Sequence, residues 1–424
     1  MTPVKRIAYR RLIALHLLLA VLIVLGSLGI AAVPVAQAQG GGCEPDGQQA
    51  SGAVYRICMP PEGAWNGDLV VYAHGYVAYN EPIAIPEDQL TLPDGTSLPE
   101  LVTSMGYAFA TTSYSVNGLA VKEGIADLVD LVNIFRAGHG EPAHVYLVGP
   151  SEGGLITALA VEQYPGLFDG GLSACGPVGD FRRQINYWGD VRVLFDYFFP
   201  GVLPGSPVAI PQEVIDNWET VYAPRVEAAL RADPLSTAQI ISVARVPVDP
   251  RDPETAIASL MGVLWYNVFA TNDGRVKLGG QPFDNHNRVY HGSLNDRDLN
   301  RRVARFRADP AALAEIEAYY QTSGDLSVPL VTLHTVADPI VPYWHESLYR
   351  RKIIAHNDQN LHTNIPSLRY GHCNFTADEV LLAFALLVYQ VTGEIPADLI
   401  QALPEDQAAL LPQSTAPVGI RLGP

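Results

Sequence analysis

Positive charge is scarce in this chain. Its 424 residues carry 27 Lys and Arg against 44 Asp and Glu, a net charge of −17. Without a basic surface there is nothing to displace phosphate counterions, which argues against a nucleic-acid partner. An anionic membrane surface is disfavoured as the main binding site on the same ground, and a strongly anionic polymer would be repelled at long range. Cysteine is scarcer still: Cys43, Cys58, Cys175 and Cys373, with no C-x-x-C pair. The histidines lack zinc-like spacing beyond an isolated His286 and His291, so neither a metal nor a cofactor is expected. Internal repeats are absent. What is present is a chain 48% hydrophobic and 17% charged, sufficient for one large core or two modest ones.

The N-terminus reads as an export signal over residues 1–38. Lys5, Arg6, Arg10 and Arg11 precede an almost wholly apolar stretch over 12–33, and Ala36-Gln37-Ala38 offers a small-x-small cleavage site. That stretch is also long enough to span a bilayer, which keeps an uncleaved anchor as the alternative. A lipid-attachment reading of Cys43 is weaker, because Gly40-Gly41-Gly42 lacks the usual leucine. The expected product is secreted or periplasmic, with no stable membrane association once the signal is removed. Four cysteines in an exported chain fit two disulfides, and the sequence allows three pairings. Cys43 with Cys58, closing a short loop, and Cys175 with Cys373 are the favoured pairs.

Organisation follows from hydrophobic period. Short apolar runs over 53–57, 68–73, 107–112, 145–148 and 171–175 read as strands. They are separated by helical patterns over 98–104 and 120–135 and by a third that opens after Ser151, continues through 158–161 and is ended by Pro165-Gly166. Strands alternating with helices at this spacing predict a mostly parallel central sheet with helices on both faces, an α/β class. The rhythm stops near Asp180 and resumes at 328–333. Between them lie helical segments over 211–231, 236–246, 253–270 and 298–320, rich in aromatics. The chain is therefore divided into a core over 39–180, an inserted helical cap over 181–325, a second core part over 326–394, and a tail over 395–424. The last strand is placed at 367–370, followed by an apolar helix over 377–391.

The most specific local pattern is Gly149-Pro150-Ser151-Glu152-Gly153-Gly154, after a strand and before a helix. Glycines two residues on either side of a serine allow a crowded turn that lifts the hydroxyl above the sheet, a nucleophile elbow. A serine hydroxyl needs an imidazole to take its proton, and the imidazole needs a carboxylate to fix its tautomer. Asp338 stands directly after the strand at 328–333, held by Pro339, where such sheets open their ligand crevice. His372 follows the last strand, and the order Ser, Asp, His completes the set. His334 and His345 compete for the imidazole role, but one lies on the strand and the other at a helix start. The oxyanion requires two backbone N–H donors. Glu152, after the serine, supplies one. Tyr76, in His74-Gly75-Tyr76 after the strand at 68–73, supplies the other. His74 itself is read as structural.

With these motifs in order, the chain resembles the α/β-hydrolases over about 52–180 and 326–394, with the cap as the usual insertion. The resemblance implies serine hydrolase activity without a cofactor. A narrower resemblance is to secreted feruloyl esterases and tannases, in which a cysteine directly after the catalytic histidine bonds one directly before the nucleophile. Here Cys373 follows His372, but Pro150 precedes Ser151, so Cys175 on the adjacent strand would have to be the partner. The leading expectation is an ester hydrolase acting on a small-molecule or polymer ester through Ser151, Asp338 and His372. A serine peptidase of the prolyl-oligopeptidase or aminopeptidase type is the alternative, with Glu152, Asp180 or Asp190 meeting a substrate amine. Glu152 is more simply a helix-start residue favoured by the helix dipole. A non-catalytic binding protein on the same scaffold is the third possibility. Tyr197, Phe198, Phe199, Trp265 and Tyr266 of the cap are expected to include residues lining an apolar acyl or aryl pocket.

Overall fold

A nine-stranded mixed sheet organises the computed structural model, which describes residues 42–92 and 95–411. The proposed signal and the end of the tail lie outside these residues. The strands are β1 (Gly42–Cys43), β2 (Gly47–Gln48), β3 (Val54–Met59), β4 (Leu69–Tyr72), β5 (Ala108–Thr112), β6 (Val145–Pro150), β7 (Gly170–Ala174), β8 (Leu330–Ala337) and β9 (His362–Tyr370). Their order is β1-β3-β5-β4-β6-β7-β8-β9, with β2 also paired to β3. β3 runs antiparallel to β5, and every pair from β5 to β9 is parallel. This is the α/β-hydrolase fold. The order reverses at β4 and β6, whose outgoing loops diverge and leave a crevice at their C-terminal ends.

Helices cover both faces, as a mostly parallel sheet requires. In chain order the first four are α1 (Leu98–Ser104), α2 (Val121–His139), α3 (Glu152–Gln163) and α4 (Phe181–Phe198). On one face α2 and α3 pack Leu128, Val132, Phe135, Leu155 and Leu159 against Val71 and Leu147. Ten residues of α3, from Glu152 to Val161, are buried, so this helix has no solvent face. The opposite face is covered by Val102 of α1 and by Leu381, Phe384 and Val388 of the helix that follows the last strand, over Phe109, Tyr146 and Leu172.

Between β7 and β8 the chain leaves the sheet. α4 is followed by α5 (Gln212–Asp216), α6 (Ala223–Ala232), α7 (Pro234–Ala244), α8 (Glu254–Lys277), α9 (Asp296–Arg302) and α10 (Pro310–Tyr319). These enclose a core of their own around Val191, Phe195, Val214, Trp218, Leu260 and Leu264. After β8 come α11 (Trp344–His356) and, after β9, α12 (Ala377–Thr392), whose first turn carries a Thr376/Glu379 capping box.

Several element expectations need correction. The segment read as one helix over 298–320 is two: the first ends at Arg302, where Val303 turns extended, and Pro310 starts α10 at its first position. The segment over 211–231 is broken by a π-turn at Trp218–Tyr222. α8 runs seven residues past 270, to Lys277. β9 begins at His362 rather than 367. It is the sheet edge, so its polar residues and Pro366 are tolerated there.

Both disulfides form as favoured: Cys43–Cys58 across β1 and β3, and Cys175–Cys373 with a Cα–Cα separation of 5.4 Å. They are compatible with a protein outside the reducing cytosol. Among the described residues, no helix is long and apolar enough to cross a membrane.

Candidate active site

Ser151 sits between β6 and α3 with φ 55° and ψ −120°, a conformation that L residues rarely adopt. Its surroundings enforce the turn. A Cβ on Gly149 would collide with the Gly153 backbone and the Ala73 carbonyl, and one on Gly153 would collide with the Ala73 and His74 carbonyls. The Ser151 N–H donates to the Ala174 carbonyl at 2.8 Å, pinning the turn to β7. The hydroxyl therefore faces the crevice above the sheet.

His372 follows β9 in a loop that contains Gly371 at φ 111° and Cys373 at φ 50°. Its Nε2 lies 2.8 Å from Ser151 Oγ and its Nδ1 lies 2.7 Å from Asp338 Oδ2. Asp338 is fully buried. Its other oxygen, Oδ1, accepts the Ile340 and Val341 N–H groups at 2.8 and 2.9 Å. The carboxylate is thus held by backbone donors on one side and by the imidazole on the other. This fixes the His372 tautomer with Nδ1–H toward Asp338 and leaves Nε2 to accept from Ser151.

The two competing histidines are engaged elsewhere. His334 on β8 has Nδ1 2.9 Å from Glu346 Oε1 and Nε2 2.8 Å from the Val341 carbonyl. Both ring nitrogens face acceptors, an arrangement that favours the doubly protonated ring. Burial alone would lower its pKa, but the Glu346 hydrogen bond and charge, with Asp338 and the Val341 carbonyl, outweigh it and raise it. Its Nε2 lies 3.7 Å from Asp338 Oδ2, behind the site. His345 accepts from the Gly179 N–H at 2.9 Å through Nδ1 and pairs with Gln184 Oε1 through Nε2 at 2.7 Å. Burial holds its pKa well below the usual imidazole range. His74 stacks on Tyr114 at 3.9 Å and its Nδ1 meets the Gly75 carbonyl. Burial drives its pKa down to about 4, so it is a neutral structural ring.

The candidate oxyanion donors lie where the crevice opens. Gly75 approaches so closely that a Cβ there would stand 3.4 Å from Ser151 Cβ, and its N–H is held by Gln89 Oε1 at 2.7 Å. Neither the Tyr76 nor the Glu152 backbone N–H donates to any other group among the described residues. The Glu152 side chain is the unexpected group here. It stands at the first position of α3, as the dipole argument expects, but its Oε1 turns away to accept the Ala120 N–H at 3.0 Å. Burial pushes its pKa up to about 8.

A narrow apolar cleft runs from Ser151 under the cap. α4 contributes Phe181, Ile185, Trp188 and Gly189, one helical stripe, and α8 contributes Tyr266, Asn267, Ala270, Thr271 and Gly274. Glu152, Leu119, Phe283 and Val341 complete much of the wall. α4 is also tied to the acid loop: Tyr187 Oη donates to the Pro339 carbonyl, and Gln184 and Trp188 donate to the Ile340 carbonyl.

Of the five cap aromatics expected to include cleft residues, the structure brings only Tyr266 to the wall. Phe199 packs on Phe195 inside the cap core, roughly 16 Å further along the helix from Trp188 at 1.5 Å per residue. Tyr197 lies on the opposite helical face, bonded to Asp298, with Phe198 packed edge-on against it. Trp265 stacks on Phe269 and meets Tyr76 edge-on at 5.9 Å. Sequence reasoning missed the start of α4 as a wall of the cleft, although its i, i+4, i+7 pattern of Phe181, Ile185 and Trp188 was visible. Asp180 caps α4 and Asp190 pairs with Arg288 and Tyr290 in a separate groove, so neither reaches the cleft.

No protein-family model matches the chain. An o-phthalyl amidase from Xanthobacter agilis is 22% identical over 337 residues, which cover 64% of this chain and 73% of that protein. Feruloyl esterase B from Aspergillus oryzae superposes with a TM-score of 0.43 at 16% identity, over 83% of this chain and 80% of its own. Candida antarctica lipase A in its closed state gives a TM-score of 0.41 at 16% identity, over 86% and 84%. A putative dipeptidyl aminopeptidase IV from Bacteroides ovatus gives 0.42 at 12% identity over 84% of this chain, which spans only 36% of that longer protein.

Proposed function

We propose that this protein is an exported serine hydrolase that cleaves carboxylic esters through an acyl-enzyme. The observation that carries the reading is the unbroken hydrogen-bonded line Ser151–His372–Asp338, with 2.8 and 2.7 Å links, on a serine held at φ 55°. Ser151 Oγ attacks the carbonyl carbon while His372 Nε2 takes its proton, and Asp338 stabilises the imidazolium without being protonated. The carbonyl oxygen becomes an oxyanion facing the Tyr76 and Glu152 amides. His372 then protonates the leaving oxygen as the bond to it breaks. Water then attacks the acyl carbon and loses a proton to His372, which returns it to Ser151 Oγ as the acyl–Oγ bond breaks and the acid leaves. The apolar cleft under the cap receives the acyl or aryl group.

Amide cleavage is the second reading. It is favoured by the distant amidase relative and by Glu152, the one acid among the cap and elbow candidates that reaches the cleft. Parallel assays on nitrophenyl esters and aminoacyl anilides separate the two, with turnover expected on the esters. Ser151→Ala should lose about 10³-fold or more in kcat with little change in Tm, since one hydroxyl leaves an open crevice. Retention of most activity by this variant would refute the reading.

A further inference from the structure

One cap residue reaches the reacting atoms. Tyr266 stands on α8 in the wall of the cleft that Ser151 also lines, and its hydroxyl lies within interaction range of Ser151. The contact falls short of a hydrogen bond of ordinary geometry, which is common for groups that tighten only around the reacting substrate. No other hydrogen-bond partner engages this hydroxyl among the described residues.

The ring has little freedom to swing away. Trp188 stacks on it at 4.9 Å with planes 18° apart, and Trp265 meets it edge-on at 5.0 Å. Tyr76, whose backbone N–H is one of the oxyanion donors proposed above, packs against it at 5.6 Å. The Tyr266 ring thus rests on the residue whose amide is a proposed oxyanion donor. Burial, reinforced by the Asp338 and Glu152 carboxylates, raises its pKa, so the phenol stays protonated and can donate.

We propose that the Tyr266 hydroxyl is a third donor to the oxyanion, supplied by the cap and not by the sheet. The inference rests on the serine-hydrolase reading. As the Oγ–C bond forms, the Oγ proton passes to His372 Nε2 and the carbonyl π pair moves onto oxygen. That oxygen then accepts from the Tyr76 amide, the Glu152 amide and Tyr266 Oη. When the pair returns, the bond to the leaving oxygen breaks and His372 supplies its proton. Because the donor sits on the cap, the oxyanion site is complete only with the cap seated over the sheet. A donor fixed in place before charge develops lowers the barrier without reorganisation, and loss of one such donor typically costs about 10²-fold in kcat.

The test is Tyr266→Phe in the full chain, beside Ser151→Ala, with nitrophenyl butyrate as substrate and an alkyl trifluoromethyl ketone as the probe of the oxyanion. The expected result is a kcat about 10²-fold lower with KM changed less than about threefold. The affinity for the ketone, which forms a serine-bound oxyanion, should weaken by the same factor as kcat/KM. If Tyr266→Phe keeps kcat within about threefold while Ser151→Ala is inactive, the third-donor role is overturned and the hydrolase reading stands. A rise in KM with ketone affinity unchanged would make Tyr266 a wall residue and equally overturn the role. Full activity in Ser151→Ala would overturn both.

Discussion

A buried carboxyl beside the proposed nucleophile makes stability depend on pH in a calculable way. Glu152 lies in the fully packed α3, with its pKa pushed up to about 8 from an ordinary 4.5. Burial is the leading cause. The Ala120 N–H and Lys277 act against it, and Asp273 and Glu123 act with it. Below pH 4.5 folded and unfolded chains are both protonated. Between 4.5 and 8 the unfolded chain releases its proton while the folded chain keeps it, so the unfolded state gains ground as pH rises. At about 1.4 kcal/mol per pH unit, this removes about 3 kcal/mol of stability by pH 7 and about 5 kcal/mol above pH 9.

Glu152→Gln keeps the shape and the acceptor for Ala120 but cannot ionise. Urea unfolding of both proteins at pH 5, 7 and 9 isolates the one carboxyl, because the other groups titrate alike in each. The stability of the variant relative to the parent should rise by about 4 kcal/mol between pH 5 and pH 9. A difference constant to within about 1 kcal/mol across that range would show that the carboxyl is not held neutral, and the reasoning from burial would fail.

Other perturbations test the supports of the site. Replacing both Cys175 and Cys373 by Ser frees the loop bearing His372, and kcat of the still-folded protein should fall at least about tenfold; an unchanged kcat at temperatures well below Tm would show that the bridge does not position the ring. Phe283→Ala opens the cleft wall and should raise KM for an octanoate ester by about 5- to 150-fold, the equivalent of about 1–3 kcal/mol, while acetate changes little; equal changes on both esters would remove Phe283 from the acyl pocket. His334→Gln breaks the buried pair with Glu346 and should cost about 3–5 kcal/mol. Because the His334 pKa is raised on folding, its contribution is complete below the unfolded value near 6.5 and declines as pH rises through the folded one, so the loss should be largest in acid. A penalty that grows with pH would contradict the assignment of both protons to this ring.

The elbow was legible because its demands are steric and local. Only glycine avoids the Ala73 and His74 carbonyls at 153 and the Gly153 backbone at 149, so the geometry writes itself into the sequence at fixed offsets. Asp338 and His372 were legible through position, each following a strand of a sheet whose order fixes which loops meet. The cap was not legible in the same way. Its aromatics satisfy a helix period wherever they sit, and period cannot tell a helix end about three turns from the crevice from a turn that overlies it. Tyr197, Phe198 and Phe199 lie at the far end of α4, while Phe181, Ile185 and Trp188 lie over the serine. Which stretch overlies Ser151 depends on where the chain leaves β7, a tertiary fact. Burial of Glu152 was hidden for a related reason: an acid at a helix start is ordinarily solvated, and α3 differs because the sheet, α2 and the cap enclose it on every side.

The sheet order also explains why the second disulfide lies where it does. Cys175 is the first residue after β7, at the root of the insertion that becomes the cap, and Cys373 is the residue after His372. Both have positive φ, at 47° and 50°, so each marks a sharp departure from its strand. Joining them ties the cap's point of exit to the histidine loop across β8, which itself carries the route to Asp338. Hydrogen bonds from Gln184, Tyr187 and Trp188 then bind the first cap helix to the Pro339 and Ile340 carbonyls. Tyr370, two residues before His372, meets Ser259 of α8 at 2.8 Å. The loops bearing Asp338 and His372 are thus each fastened to the cap as well as to the sheet. A change that lifts the cap must strain the Ser151–His372–Asp338 line, even when it touches none of its three residues.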